Sequence, residues 1–467
     1  MSAVWGKITA KEILGPISGT MISGQQETIF SGFSTDSRSI GPGDLFLALK
    51  GEQFDGHDFA QKAIDRGAVG IVVQKNHPLK LSHPNDPAII TVDDSLKALG
   101  DLAGWWRHQH RVRVVAITGS SGKTTTKEII AGILAMGGRT LASQGNYNNL
   151  IGLPLTLLRL EKVHQNAVLE MGMNQRGEIA RLTEIADPDV GAITNVGRAH
   201  LEGLGDLNGV ARAKVEMVEK ISSKGQVVLN GDDKLLMETA AHYRKNVLTF
   251  GLNKTNDIRC AEIRNLGREG SAFRLFYWGG SLDVRLNVPG FQNIFNALAA
   301  AAVGLCLDEP PKHIVEGLHN FAGVKGRFTL LHLPEDITLV DDTYNANPSS
   351  LKAALESVQA MVHAGGRIIV GLGEMMELGD ETIIAHREAG RMVAELGARH
   401  LVAMGEHAHE MLKGAIESGM SKEKTKAVKS HHEMVEIIVG EMRKGDIIFL
   451  KGSREMDLGK VVDGIRR

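Results

Sequence analysis

The sequence has little cysteine: Cys260 and Cys306 are its only two cysteines, and they lie far apart. A framework of disulfide bonds is therefore excluded, and the C-x-x-C spacing of many metal sites does not occur. We expect both residues to be small buried apolar side chains, as free cysteines usually are. Low cysteine use also fits a reducing cytosol.

Long apolar runs and a surplus of positive charge are also missing. No window reaches the ~18 apolar residues that a membrane-spanning helix needs, and the Ala-rich stretch 296–307 predicts a buried helix instead. The N-terminal residues contain no apolar segment typical of a signal peptide. The net charge of −2 gives no basic surface for nucleic acid. We therefore predict a cytoplasmic protein that spans no membrane and binds no nucleic acid.

The length of 467 residues predicts two to four domains. Short β-rich runs alternate with longer helical patterns, which indicates an α/β class with mostly parallel sheets. Composition and pattern divide the chain into three blocks, at residues 1–112, 113–327 and 328–467. The predicted strands are residues 44–49, 69–73, 88–92, 112–117, 167–171, 192–196, 226–230, 338–340, 367–370, 400–404 and 446–450.

One loop carries the strongest chemical signal. The strand 112–117 runs directly into T-G-S-S-G-K-T-T-T at 118–126, and a helix is predicted to begin near Thr125. Glycines let the backbone bend around a phosphate, and the helix points its positive end at the anion. Lys123 can reach the β- and γ-phosphates, and the Thr124 hydroxyl can ligate Mg²⁺. The loop therefore predicts binding of a nucleoside triphosphate, in a shortened variant in which Gly119 lies only three residues before Gly122.

Other polar residues follow predicted strands, where open parallel sheets bind their ligands. Glu170 is the best candidate carboxylate for Mg²⁺, because it is the only charge at an apolar strand end, although a surface or capping glutamate would look similar. A histidine such as His200 is by itself more often structural than a ligand. Sequence pattern alone indicates that Lys214 is one of many solvated charges on a helix.

Two further segments have two interpretations each. The segment 341–348 (D-D-T-Y-N-A-N-P) either caps a following helix or binds a ribose and base. The residues Asn293 and Asn296 lie one turn apart ahead of the Ala-rich helix, where they either form part of a site or mark the start of the helix.

Several short motifs occur together along nearly the whole chain. Besides the loop they are N-N-x-I-G-x-P at 148–154, L-E-M-G at 169–172, N-x-x-x-x-H-L at 195–201, A-K-x-E at 213–216, P-G-x-Q-N-x-x-N-A at 289–297, G-R at 326–327, D-T-Y-N-A-N-P at 342–348, G-E-M-x-E-L-G at 373–379 and K-G-S-R at 451–454. With this set the sequence resembles the Mur ligase family. The combination is very specific, although no single motif is.

The resemblance implies a role for individual residues. Lys123, His200 and Lys214 would be catalytic. The residues implied for ATP are Gly119, Ser120, Ser121, Gly122, Lys123, Thr124, Thr125, Asn293, Asn296, Arg327, Asp342 and Asn345; for Mg²⁺ they are Thr124, Glu170, His200 and Lys214, the last as a carbamate. The residues implied for the UDP end of the substrate are Ser34, Thr35, Asp36, Ser37, Arg38, Gln53, Asp55 and Gly56, and those for the amine are Lys451, Ser453 and Arg454.

The resemblance also implies a fold and an activity. The three blocks would be a smaller α/β N-terminal domain for the UDP end, a central ATP-binding domain with a P-loop-type, mostly parallel sheet, and a Rossmann-like C-terminal domain for the amine. The implied enzyme is an ATP-dependent ligase, expected to be a monomer, that joins D-alanyl-D-alanine to the terminal carboxylate of UDP-N-acetylmuramoyl-tripeptide in peptidoglycan precursor synthesis. D-T-Y-N-A-N-P favours this activity within the family.

The sequence differs from its relatives in two features, and two alternative functions stay open. Lys325 stands where relatives often have proline, and D-N-P-R, the motif of the diaminopimelate-adding relative, is absent. The nearest alternative activity is that of a folylpolyglutamate synthase-like ligase. A nucleotide-binding scaffold without turnover is the alternative of a different class. The sequence leaves open whether the third residue of the peptide is lysine or diaminopimelate.

Overall fold

The computed structural model describes residues 3–51, 53–77, 87–243, 245–362 and 366–467. Within these ranges the strands form three separate sheets that follow one another along the chain. Helices flank each sheet, so the α/β class predicted from the sequence is confirmed. None of the helices in the described ranges is both long and apolar enough to cross a membrane.

The N-terminal sheet has the strand order β1-β3-β4-β5-β6-β2, with parallel inner strands and antiparallel outer ones. Its strands are β1 (Ala3–Thr9), β2 (Thr20–Ser23), β3 (Ile29–Ser34), β4 (Asp44–Leu47), β5 (Gly70–Gln74) and β6 (Ala88–Val92), and its helices are α1 (Ala10–Leu14), α2 (Ala60–Asp65) and α3 (Ser95–His108). The rings of Trp5 and Trp106 stack 5.3 Å apart. Their indole N–H groups donate to the carbonyls of Leu158 and Leu160, which joins this unit to the next.

The central sheet has the order β15-β14-β13-β12-β11-β10-β7-β9-β8, and β7 therefore lies between β9 and β10. Its strands are β7 (Arg113–Thr118), β8 (Thr140–Ala142), β9 (Asn166–Glu170), β10 (Val190–Ile193), β11 (Gln226–Asn230), β12 (Asn246–Gly251), β13 (Ile258–Asn265), β14 (Ser271–Tyr277) and β15 (Gly280–Leu286). The strands β7 to β13 pair in parallel, so the carboxyl ends of β7, β9 and β10 meet at one edge.

Helices cover both faces of the central sheet. They are α4 (Lys123–Ala135), α5 (Gly152–Leu157), α6 (Glu178–Ala186), α7 (Leu201–Leu204), α8 (Leu207–Lys220), α9 (Lys234–Ala240), α10 (Phe291–Cys306) and α11 (Pro311–Asn320). The alanines of α10 are fully buried and pack beside the apolar face of α4. Small side chains let these two helices approach closely, and the start of α10 consequently lies beside the start of α4.

The C-terminal sheet has the order β16-β17-β21-β18-β19-β20, in which only the edge strand β16 is antiparallel to its neighbour. Its strands are β16 (Thr329–His332), β17 (Thr338–Asp342), β18 (Ile368–Leu372), β19 (His400–Met404), β20 (Thr425–Val428) and β21 (Ile447–Lys451). Its helices are α12 (Pro348–Gln359), α13 (Thr382–Glu395), α14 (Ala408–Glu417), α15 (His431–Glu441) and α16 (Gly459–Ile465). The capping box of Asn347 and Ser350 begins α12, so that asparagine acts as a helix cap.

Each strand predicted from the sequence overlaps a strand of the structure. One detail is wrong: Asn195 lies beyond the end of β10, which closes at Ile193, so it belongs to the loop at the edge and not to the strand. The strands that were not predicted are β1, β2, β3, β8, β12, β13, β14, β15, β16 and β20. The domain boundaries at 112 and 327 stay predictions.

Candidate active site

The phosphate loop connects β7 to α4. The helix begins at Lys123, and its cap is Gly122, whose φ of +79° lies in the left-handed region. A Cβ atom at Gly122 would collide with Asn296, and one at Gly119 would collide with Thr194. Both glycines are therefore required by close approach of neighbouring side chains. The first N–H groups of α4 have no partner within the helix and present a positive end to an anion.

The shape of the loop is fixed by the residues that follow β10. The Ser121 N–H donates to Asn195 Oδ1 at 3.0 Å, and the Thr194 hydroxyl donates to the Ser121 carbonyl at 2.6 Å. The Ser120 hydroxyl donates to the Gly197 carbonyl at 3.0 Å. The path of the loop is thus set by hydrogen bonds across the sheet edge. Sequence reasoning identified Asn195 as the end of a strand but did not single out Thr194.

Lys123 reaches back over the loop. Its ammonium donates to the Gly119 carbonyl at 2.8 Å. Burial lowers the pKa of Lys123, while the negative charges of Glu170 and Glu377 oppose that shift. A partly desolvated cation beside an anion-binding loop can neutralise a bound phosphate more strongly than a solvated one.

Glu170 closes β9 and is buried. Its Oε1 accepts a hydrogen bond from Asn148 Nδ2 at 2.9 Å, whereas its Oε2 is buried with no hydrogen-bond partner. A buried carboxylate oxygen without a partner is costly unless a ligand satisfies it. Carboxylate and hydroxyl oxygens are the ligands that Mg²⁺ prefers, so Glu170 and the nearby Thr124 fit that cation.

Lys214 lies on α8 and is 1% exposed. Among the described residues, no hydrogen bond or ion pair satisfies its ammonium. Burial, and secondarily the Lys123 cation, lower the pKa of Lys214 well below its usual range. This shift favours the neutral amine, which is the form that reacts with CO₂ to give a carbamate. This environment fits the carbamate interpretation and rejects that of a solvated helix charge.

His200 is the residue before α7 and has a left-handed backbone, with φ of +57°. Its Nδ1 lies 2.6 Å from Glu377 Oε2, a carboxylate of the C-terminal unit. The two groups are therefore at ion-pair distance. Both residues line one cavity of about 410 Å³ together with Lys123 and Glu170.

A second cavity, of about 390 Å³, lies on the other side of the loop. Asn293 and Asn296 line it, but their amides are turned to each other: Asn296 Nδ2 donates to Asn293 Oδ1 at 3.0 Å. The Thr126 hydroxyl donates to Asn296 Oδ1 at 3.2 Å. In this arrangement the two asparagines hold α10 against the phosphate loop at the wall of the cavity.

Arg327, which lies just before the C-terminal sheet, supplies a cation to the loop. The Arg327 guanidinium donates to Thr124 Oγ1 at 3.2 Å and lies 4.1 Å from the centre of the Tyr344 ring. Arg327 Nε is buried without a hydrogen-bond partner. This arginine lines both cavities, and stacking on the tyrosine fixes its plane. Tyr344 was not among the residues that we singled out from the sequence.

Asp342 and Lys451 lie at the ends of the adjacent strands β17 and β21. Lys451 Nζ donates to Asp342 Oδ2 at 2.6 Å and to the Asn345 carbonyl at 2.9 Å. Burial raises the pKa of Asp342 and lowers the pKa of Lys451, and each charge opposes the shift of the other. Lys451, predicted to contact the amine, thus lies beside Asp342 at the cavity that Asn293 and Asn296 also line.

Ser453 and Arg454 line the other cavity, on the side of His200. Ser453 is buried, and its hydroxyl has no hydrogen-bond partner within the described residues. Arg454 is exposed. A free hydroxyl and an exposed cation at the wall of this cavity can bind a polar, carboxylate-bearing substrate.

The residues predicted for the UDP end lie in the N-terminal unit and line neither cavity. Asp36 accepts from the side chain of Arg38, which is 79% exposed, and Ser34 accepts from the Asp36 N–H at 3.0 Å. Asp55 caps the turn at Gly56 by accepting from the His57 N–H at 3.0 Å. Thr35, Ser37 and Gln53 lie in the same two loops.

Three family models match the chain in sequence order. The model of the Mur ligase family, catalytic domain, matches residues 30–106, and that of the Mur ligase middle domain matches residues 117–304. The model of the Mur ligase, glutamate ligase domain, matches residues 326–454.

Relatives and solved structures cover nearly the whole chain. The UDP-N-acetylmuramoyl-tripeptide--D-alanyl-D-alanine ligase of Bacillus subtilis (strain 168) is 33% identical over 98% of each chain, and that of Escherichia coli (strain K12) is 38% identical over 93% of each. The crystal structure of MurF from Acinetobacter baumannii superposes with a TM-score of 0.88 at 34% identity, covering 99% of each chain. MurF ligase from Thermotoga maritima in complex with ADP gives a TM-score of 0.83 at 27% identity, covering 93% of this chain and 96% of that one.

Proposed function

This chain belongs to the Mur ligase family, and we propose that it joins D-alanyl-D-alanine to the terminal carboxylate of UDP-N-acetylmuramoyl-tripeptide at the expense of ATP. The observation that carries the proposal is the pair of cavities that share the phosphate loop and Arg327. One cavity has room for a nucleotide, and the other brings Lys123, Glu170 and His200 together with Ser453 and Arg454. A site for ATP and a site for a polar acceptor therefore meet at the phosphate loop.

The reaction requires activation because a carboxylate and an amine do not condense in water. The carboxylate of the tripeptide attacks the γ-phosphorus of ATP, the bond to the bridging oxygen breaks, and ADP leaves with that electron pair. The resulting acyl phosphate is attacked at its carbonyl carbon by the dipeptide amine. Phosphate leaves with the electron pair of the C–O bond, and the amine loses a proton, so that an amide, ADP and phosphate are the products.

The residues of the loop overcome the repulsion between two anions. Lys123 and the N–H groups at the start of α4 bind the phosphates. Arg327, held by Tyr344, adds a second cation from the other side of the loop. Groups that are already in place stabilise the charge that develops in the transition state without reorganisation.

Thr124, Glu170, His200 and a carbamate on Lys214 would hold Mg²⁺, which neutralises phosphate charge when it is bound. The unpartnered Oε2 of Glu170 and the unpaired amine of Lys214 support this assignment. A carbamate would convert Lys214 from a buried base into an anion, and Lys123 would stabilise it.

Other residues bind the dipeptide, the nucleotide and the UDP end of the substrate. Ser453 and Arg454 bind the dipeptide, Asp342 and Lys451 act at the nucleotide side, and Asn345 joins them through its carbonyl. The N-terminal loops that contain Ser34, Thr35, Asp36, Ser37 and Arg38, and Gln53, Asp55 and Gly56, bind the UDP end. Contact between the central and C-terminal units excludes water, which would otherwise hydrolyse the acyl phosphate. The protein acts as a cytoplasmic monomer.

A panel of amines tests the assignment. Phosphate release is measured with ATP, Mg²⁺ and either the UDP-linked tripeptide or a folate as the acceptor, while D-alanyl-D-alanine, glutamate, lysine or diaminopimelate is supplied as the amine. We expect release to depend on D-alanyl-D-alanine. Release with glutamate on a folate acceptor would instead favour a folylpolyglutamate synthase-like ligase, and nucleotide binding without turnover on any amine would favour a scaffold. No observation among the described residues favours either alternative.

A further inference from the structure

Glu377 reaches from the C-terminal unit into the central cavity. It belongs to the loop 373–379 after β18, and its Oε2 lies 2.6 Å from His200 Nδ1. Its carbonyl accepts from the Glu202 N–H at 3.3 Å, so the backbone is docked on α7 as well. His200 is consequently contacted by a charge whose position depends on the fold of another unit.

The loop that carries Glu377 is held rigidly. The buried imidazole of His386 accepts from the Met375 N–H at 3.1 Å through Nε2, and its Nδ1 bonds the Thr382 carbonyl at 2.7 Å. Met375 and Leu378 are buried beside it. Because both ring nitrogens of His386 are used, this histidine supports the loop and is not free to bind a ligand.

The backbone at the contact is strained on both sides. Glu377 has a φ of +62°, and His200 has a φ of +57°. Left-handed conformations of non-glycine residues are uncommon and persist where the surrounding structure or a function maintains them. Here the two strained residues are those whose side chains meet.

We propose that Glu377 is a positioning residue that fixes the tautomer and the ring orientation of His200, so that Nε2 presents its lone pair to the cation. This inference rests on the proposed function. A histidine that binds a metal almost always gives its other ring N–H to a carboxylate or carbonyl, which sets the tautomer. The Nδ1 atom of His200 already has that carboxylate 2.6 Å away.

A purely mechanical role for Glu377 makes a different prediction. Arg198 lies between the same two units, with its guanidinium 3.8 Å from Glu381 and 3.6 Å from Glu388. If Glu377 only held the units together, removal of Glu388 would have a comparable effect. If Glu377 orients His200, the effect of its removal depends on the presence of the imidazole.

The test measures Mn²⁺ affinity by electron paramagnetic resonance of the free ion, with a saturating non-hydrolysable ATP analogue and without tripeptide or dipeptide. Glu377→Ala and the isosteric Glu377→Gln are compared with His200→Ala, with the double variant Glu377→Ala/His200→Ala and with the control Glu388→Ala. We expect Glu377→Ala to weaken Mn²⁺ binding by about 10- to 100-fold, as loss of such a supporting carboxylate does elsewhere. The Mn²⁺ affinity of Glu388→Ala should stay within about twofold of that of the unchanged protein, because exposed ion pairs contribute little.

The double variant shows whether Glu377 affects Mn²⁺ binding through His200. Adding Glu377→Ala to His200→Ala should cause no further loss of Mn²⁺ affinity. An unchanged affinity in both Glu377 variants would overturn the proposal, as would an equal loss in Glu388→Ala or a further loss in the double variant. Because neither acceptor substrate is present, a wrong substrate assignment leaves this result unaffected.

Discussion

The ammonium of Lys451 lies 2.6 Å from the carboxylate of Asp342, across the adjacent ends of β21 and β17, and both side chains are buried. Lys451→Met leaves the carboxylate in a desolvated position without its partner. We expect this change to lower the free energy of unfolding by about 3–5 kcal/mol, as breaking a buried pair does. Urea unfolding in the absence of nucleotide measures the difference.

The double variant Asp342→Asn/Lys451→Met is the matched comparison, and it should regain much of that loss because no buried charge remains. Asp457→Asn is the control, since Asp457 pairs with Lys460 at 2.9 Å in an exposed position. That substitution should cost about 0–1 kcal/mol. A Lys451→Met protein as stable as the control would show that the buried pair is not coupled.

Lys123→Ala removes the cation of the phosphate loop. We expect the rate of substrate-dependent phosphate release to fall by about 10²- to 10³-fold, the usual effect of losing one preorganised electrostatic group. Lys220→Ala is a suitable control because its side chain is 37% exposed and pairs with Glu184 outside the cavities. Full activity in Lys123→Ala would disprove the assignment of the phosphate loop.

Lys214 should make stability depend on pH. Its pKa is well below 10.5 in the folded protein because of burial, whereas the unfolded chain still binds the proton up to that value. Between the lowered pKa of Lys214 in the folded protein and 10.5, the unfolded state therefore binds more protons than the folded state. Over that pH range the free energy of unfolding rises with pH. Lys214→Met abolishes the dependence, so the stability curves of the two proteins should differ in slope by up to ~1.4 kcal/mol per pH unit.

Urea unfolding at several pH values between 7 and 10, in buffer free of CO₂, provides this comparison, since those values lie below the 10.5 of an ordinary lysine. Lys214→Met should be the more stable protein at the low end, and the advantage should shrink as the pH rises. Lys220→Met should follow the unchanged protein throughout. Parallel curves for Lys214→Met and the unchanged protein would mean that Lys214 keeps its proton after folding.

The carbamate itself gives a spectroscopic signature. With ¹³C-labelled bicarbonate we expect a carbonyl resonance in the unchanged protein that is missing in Lys214→Met, because only a neutral buried amine retains CO₂. Acidification should remove the resonance, since protonation of the nitrogen releases CO₂. Identical spectra from the two proteins would remove the carbamate from the account.

The phosphate loop and the polar residues at strand ends could be predicted from the sequence because a few neighbouring residues mark each of them. Lys123 follows a glycine pair and an apolar strand, and Glu170 is the single charge at the end of another strand. β14 and β15 were missed although their residues alternate: Phe273 and Leu275 are buried, whereas Arg274 between them pairs with the exposed Asp283. Such alternation is the usual signal of a strand with one buried face.

Contacts between residues that are far apart in the sequence could not be predicted from local sequence patterns. The contact between Glu377 and His200 joins two units, and nothing in G-E-M-x-E-L-G indicates which of its two glutamates faces the cavity. In the structure Glu374 turns to His407, at 2.5 Å, and Glu377 turns to His200. The desolvation of Lys214 is likewise a property of packing around α8, which helical periodicity alone does not reveal.

The mass of the product tests the central claim most directly. Purified protein is incubated with ATP, Mg²⁺, D-alanyl-D-alanine and UDP-N-acetylmuramoyl-tripeptide that carries either lysine or diaminopimelate at its third position. We predict a UDP-linked pentapeptide from at least one tripeptide, with a mass equal to the sum of the two substrates less one water, and with ADP and phosphate formed in equal amounts. Hydrolysis of ATP without pentapeptide from either tripeptide would contradict the account.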